Sequence, residues 1–252
     1  MSNYAAFEKL TIHFDSGPIP PPFCHRYTII VINNSGKCGV SLNLEYYDRD
    51  EISEEDIFDE GFSLQDNHAW EGELPEIWVK EIQEKLNSSN WLKKPKTQSQ
   101  LSMMELRITG SGRSELLYPA DQKAWEVFSQ EIIQAIFELS KKEAPLKIEF
   151  VHIGNNKLKS QLNIHFSFAK RKVEISSSNK IQDQISWKEG QKLMKYIYFF
   201  DYLPEEGSEK FPRKPGDYIQ PGNALWYNLG IIEKAGKDDK TEKLIKTLKS
   251  YF

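Results

Sequence analysis

The 252-residue sequence is short of several things that would narrow its chemistry at once. It has two cysteines, Cys24 and Cys38, whose spacing fits neither a zinc-binding pair nor a dense disulfide framework, as suits a reducing compartment. No stretch of about 18 uncharged apolar residues could span a bilayer. Met1 to Leu10 has no basic segment running into an apolar one, so the expectation is a cytoplasmic protein with no membrane span. Charge of one sign is not in large excess, and the net charge of −4 argues against a general nucleic-acid binder. Catalytic signatures are missing too. There is no Gly-x-Ser-x-Gly elbow, no His-Glu-x-x-His, no phosphate loop and no kinase set. Gly110-Ser111-Gly112 lacks the rest of a dinucleotide fingerprint and reads as a turn, so no cofactor is expected.

What the chain does have is aromatic side chains, 14 Phe, 11 Tyr and 6 Trp, in a composition 39% hydrophobic and 28% charged. Each ring buries a large area, so a polar chain of this length can still build one large core or two smaller ones. Phe7 to Phe14, Tyr27 to Asn33 and Val40 to Tyr47 have strand composition. Turn signals at Ser16-Gly17-Pro18 and Asn33-Asn34-Ser35-Gly36 separate them, which predicts an antiparallel meander. Met103 to Thr109 and Ser114 to Tyr118 flank a hairpin turn at Gly110 to Arg113. Leu146 to Ile153, Leu158 to Phe168 and Lys172 to Ile175 read as three more strands, the first pair joined across Gly154-Asn155-Asn156.

Helices are expected where the period changes. Ser53 and Asp56 have capping spacing, with Ile52 and Ile57 placed as a hydrophobic staple and Gly61 closing a short helix. A second helix from Pro75 carries Ile77, Trp78, Ile82 and Leu86 on one face. The strongest, capped by Asp121, repeats Trp125, Phe128, Ile132, Ile136 and Leu139 and is stopped by Pro145. Ser186 and Glu189 form a capping box ahead of Leu193, Ile197 and Phe200, and Leu244, Ile245, Leu248 and Tyr251 give a closing amphipathic helix. Strands in consecutive hairpins with interspersed helices point to an α+β fold, a largely antiparallel sheet or sheets with helices on one face.

Lys93 to Gln100 is polar, basic and apolar-free. Such linker composition suggests two α+β halves, 1–94 and 101–252, with a single composite domain as the alternative. A weak echo agrees with two related β-then-α halves: Leu42-Asn43-Leu44, Ile52-Ser53 and Trp70 recur in order as Leu162-Asn163-Ile164, Ile175-Ser176 and Trp187. Under that alignment His13 and His165, each between apolar residues, would share a sheet face.

Chemistry could reside in several places. Asp48 to Glu60 holds eight carboxylates and one arginine, leaving 32 basic against 29 acidic side chains elsewhere. Asp48 and Asp50 offer the oxygen ligands a divalent cation needs, although Ile52 and Ser53 rule out an EF-hand; otherwise the run is a solvated helix start. Single thiols such as Cys24 and Cys38 behave as small buried hydrophobes. Gly17 to Phe23, with four prolines, is either a groove ligand or a stiff connection between strands. Lysines 234, 237, 240, 243, 246 and 249 recur every third residue, a spacing that drifts around a helix and gives no single basic face.

The stretch Leu203 to Asn223 is Pro/Gly-rich and longer than a connection needs. In and just after it stand Phe211, Arg213, Tyr218, Trp226 and Tyr227, residue types enriched at protein interfaces. The expectation is therefore a binding protein for another protein, acting through 203–227. The alternative is a hydrolase or divalent-metal-dependent enzyme assembled from Asp48, Asp50 and a sheet histidine.

Overall fold

The computed structural model describes residues 7–95, 102–155, 159–177, 180–231 and 238–252 and divides into two compact units, Met1–Glu143 and Ala144–Phe252. Both are α+β, each with one antiparallel sheet. The polar segment 93–100, whose residues 96–100 lie outside the described set, is not where the units divide. The strand that follows it pairs with the first strand of the chain over seven positions, so 103–143 belongs with the first unit.

In the first unit β1 (Lys9–Asp15), β2 (His25–Asn34), β3 (Lys37–Tyr46) and β4 (His68–Leu74) form a meander. A 3₁₀ turn, Arg49–Glu51, and α1 (Glu54–Asp59) are inserted between β3 and β4. Then come α2 (Ile77–Ser88), the two-residue β5 (Trp91–Leu92), the hairpin of β6 (Met103–Gly110) and β7 (Arg113–Pro119), and α3 (Gln122–Leu139). The strand order is β4-β3-β2-β1-β6-β7-β5. Two-residue turns close the β2–β3 and β6–β7 hairpins, with positive φ at Ser35 and Gly36 and at Ser111 and Gly112, which matches the right-handed strand twist.

Alternation decides which face is inside. Leu10, Ile12 and Phe14, Tyr27, Ile29 and Val31, Val40, Leu42 and Leu44, and Met104, Leu106 and Ile108 are all buried, while the residues between them are not. Trp78, Ile82 and Leu86 of α2 and Trp125, Phe128, Ile132 and Ile136 of α3 complete this core. Ile77 and Leu139 sit at the helix ends, off the inner stripe, and stay exposed. Side chains cap α1 and α3: Ser53 and Asp56 make a reciprocal box, and Asp121 accepts from the Ala124 amide.

The second unit runs β8 (Leu146–Ile153), β9 (Lys159–Ser167), β10 (Lys172–Ser177), β11 (Lys180–Ile185), α4 (Trp187–Ile197), β12 (Gly216–Gln220), β13 (Tyr227–Asn228) and α5 (Asp238–Lys249). Its order is β11-β10-β9-β8-β12-β13. Ile148, Phe150, Leu162, Ile164, Phe166, Val173 and Ile219 from the sheet join Leu193 and Ile197 of α4 and Leu244 and Leu248 of α5 in one core. The capping box at Ser186 and Glu189 is formed.

Both units thus share a four-stranded meander, a helix, a pair of strands added on the free edge of the first strand, and a final helix, to which the first unit adds α1 and the short edge strand β5. The sequence echo does not fall on equivalent places in this repeat. Leu42–Leu44 lie in the third strand of one unit and Leu162–Ile164 in the second strand of the other; Trp70 lies in a strand and Trp187 opens a helix. Short apolar alternations recur in any strand, so likeness between two of them does not identify counterparts.

Candidate functional site

The segment read as one long loop contains structure. After α4 and a 3₁₀ turn at Pro204–Glu206, the chain crosses to Ser208, enters β12 beside β8, turns, and leaves along β13. Ser208 and Trp226 exchange two backbone hydrogen bonds, at 3.0 and 2.8 Å, which pin the two ends of the excursion together. That closeness requires a glycine beside it. A Cβ on Gly207 would lie 2.9 Å from the Leu225 side chain and 3.0 Å from the Tyr227 ring.

Strand alternation then sorts the aromatic residues. Ile219 pairs with Phe150 on one side and Tyr227 on the other, and all three face the main core. Tyr218, opposite Val151, points to the other face, where it packs with Val151, Ile153 and Trp226 in a small separate cluster. Tyr227, expected at the binding surface, is therefore a core residue, 1% exposed, with its hydroxyl donating to the Tyr202 carbonyl and accepting from Asn223. The other four expected residues converge. Phe211, Arg213, Tyr218 and Trp226 line one open cleft of about 950 Å³ together with Lys159, Ser208, Lys210, Pro212 and Lys214.

The cleft has a definite polarity. Its described lining holds four cations, Lys159, Lys210, Arg213 and Lys214, and no carboxylate. Among the described residues none of the four has an ion-pair partner. Trp226 is 8% exposed and forms the floor. The Phe211 ring stands edge-on to it, with centroids 5.2 Å apart, and the Lys159 ammonium lies 4.8 Å from the centroid of Phe211. This charge is regional. The second unit has 19 Lys and Arg against 13 Asp and Glu, +6, whereas the first has 14 against 24, −10. The overall −4 averages the two away.

Lys210 and Lys214 were not among the residues expected there, although the basic density around Phe211-Pro212-Arg213 was a signal that could have found them. Lys159 gave no signal, because it reaches the cleft only through the pairing of β9 with β8, where it stands opposite Ile153.

The other candidates are placed elsewhere. Asp48, just before the 3₁₀ turn, and Asp50, within it, are exposed, and among the described residues no three His, Cys, Asp or Glu side chains converge as a metal would need. The one arginine of the acidic run is a tether. Arg49 donates to the carbonyls of Pro22 and Ser63, pairs with Asp66 at 2.9 Å and lies over the rings of Tyr46 and Phe62. The polyproline segment is bound into the same knot, with Phe23 edge-on to Phe62. It stiffens the β1–β2 connection.

His13 and His165 lie in different sheets and at non-equivalent strands; His13 shares a hydrogen bond of 3.0 Å with Thr28, and its neighbours Ile12 and Phe14 point the other way. Both cysteines are free and buried, and burial pushes the Cys38 thiol up to about 12, so it is no thiolate at neutral pH. A histidine without an earlier signal, His152, bonds Asp217 at 2.8 Å, and Lys249 of α5 bonds the same carboxylate at 3.0 Å. Ser160 faces His152 across the strands, yet no hydrogen bond joins them, so this row ties α5 to the sheet and does not activate a nucleophile. Of the regular lysines, 234 and 237 lie outside the described residues, while Lys240 and Lys243 cover the rings of Phe199 and Tyr196.

No helix among the described residues is long and apolar enough to cross a membrane. No protein family, curated protein or solved structure matches the chain.

Proposed function

We propose that the chain is a binding protein that captures a protein partner through the cleft between Ser208 and Trp226. The observation that carries this reading is the convergence of four cations and aromatic rings on one open surface, held by the backbone pair Ser208–Trp226. Arginine and aromatic residues supply most hot-spot energy at protein interfaces, and a rigid frame lowers the ordering cost of binding. Lysine, arginine and aromatic side chains on an open surface suit recognition of a partner.

The test must spare the floor. Trp226 is buried, and its removal would disturb the small cluster beneath the cleft, whereas Arg213 and Lys214 are exposed. Charge reversal by R213E and K214E should leave stability within about 0.5 kcal/mol of the parent chain, as for surface changes generally. Tagged full-length protein is used to capture partners from its host's lysate, read by native mass spectrometry. A stoichiometric protein recovered by the parent chain and lost with R213E/K214E is the expected outcome. Equal recovery by both removes the cleft from the account.

A further inference from the structure

We infer that the part of the partner bound in the cleft is an acidic segment, several Asp or Glu side chains around one apolar residue; this rests on the protein-binding reading above. Three features of the cleft converge on it. The first is charge: four cations with no carboxylate among the described lining residues make a surface complementary to an anion. The second is size. An open cleft of about 950 Å³ is far larger than one inorganic anion, and the cations come from separate places, Lys159 on β9 and the others on the crossing segment, so the negative charges must be spread along a chain.

The third is the state of the rings, and it separates a peptide from a nucleic acid. Single-stranded nucleic acid binds basic grooves by stacking bases on open aromatic faces. Here Trp226 is nearly covered, Phe211 meets it edge-on, and Lys159 occupies a Phe211 face. What remains is the outer part of the 39%-exposed Phe211 ring and the partly exposed Tyr218, too little open aromatic face for successive stacked bases and a lining suited to one apolar side chain between carboxylates. Arg213 can hold such a carboxylate in a two-pronged hydrogen bond, while the lysines act as point charges.

The experiment pans the full-length protein against a displayed library of random dodecapeptides, alongside the R213E/K214E chain. Peptides recovered on the parent chain should be enriched in Asp and Glu, and the best of them should bind at least about tenfold more weakly to R213E/K214E and weaken as salt rises. Recovery without acidic bias, or with bias toward Lys and Arg, overturns the inference. Labelled oligouridine and inorganic phosphate are titrated in parallel. Oligouridine binding more tightly than the best acidic peptide overturns it in favour of single-stranded RNA, and displacement of the peptide by phosphate at equal concentration overturns it in favour of a single-anion site. If lysate capture depends on the cleft but the peptides show no acidic bias, only this inference fails. If capture is indifferent to R213E/K214E, the protein-binding reading itself fails.

Discussion

The two units share one chain path and differ in what is hung on it. In the first, the connection from third to fourth strand swells into an acidic insertion with its own helix, tethered by Arg49. In the second, the corresponding connection between β10 and β11 is short, and it is the helix-to-strand crossing after α4 that grows into the basic, aromatic cleft. The counterpart of that crossing in the first unit is the polar segment after α2. A sheet with helices on one face tolerates additions in its connections because they leave the core untouched. The lesson is that the acidic and the basic surface features described here both sit mainly on connections, outside the repeated cores.

This comparison can be broken or sharpened by unsettling one unit at a time. The largest effect is expected from Trp78→Ala, which empties a fully buried position of the first core and should cost about 3–5 kcal/mol. Hydrogen exchange should then speed up across β1–β4 and β6–β7 with the second sheet still protected. Loss of protection in both sheets together would show that the cores do not stand separately.

Gly190→Val attacks the second unit instead. A Cβ at Gly190 would lie 2.4 Å from the Val173 side chain and 3.2 Å from Phe166, so α4 must shift off the sheet, at about 1–3 kcal/mol. The thermal transition should fall and exchange should rise at β9, β10 and α4; an unchanged melting temperature would mean that helix and sheet are looser there than their contacts imply.

The smallest effect concerns the acidic insertion. Arg49→Ala should cost about 1–2 kcal/mol, felt as faster exchange over 49–66 with β1–β3 unaffected. Acid should do the same. Burial acts to raise the Asp66 carboxyl, but hydrogen bonds from Ser63 and the pair with Arg49 outweigh it and hold it below the usual carboxylate range. Its contribution is therefore complete above the unfolded value of about 3.9 and is lost as pH falls through the lower folded value. Exchange over 49–66 measured down an acid series should rise in that window, and Asp66→Asn should abolish the dependence; a flat profile in the parent chain would assign the tether to the carbonyl hydrogen bonds and ring contacts of Arg49 without the ion pair.

Period-two and period-3.6 patterns, turn residues and caps are local signals, and they made β1–β3, β6–β10 and all five helices legible. Where composition was polar, as at β4 and β11, or interrupted by Pro and Gly, as at β12, the strand was missed, because its stability comes from the neighbouring strand and not from its own residues. The same holds for the candidate site. Aromatic and basic types at 211–226 could be read directly, but which face each ring takes could not. Tyr218 and Tyr227 look alike in sequence, and only the register of β12 against β8 and β13 sends one to the cleft and the other to the core. By itself, then, the sequence determined the fold class, the helix ends, the tight turns and the neighbourhood of the cleft, all set within a few residues of chain. The tertiary structure alone decided the division at Glu143, the repeated strand order, the recruitment of Lys159 and the exclusion of Tyr227, because each depends on pairing between strands far apart in the chain.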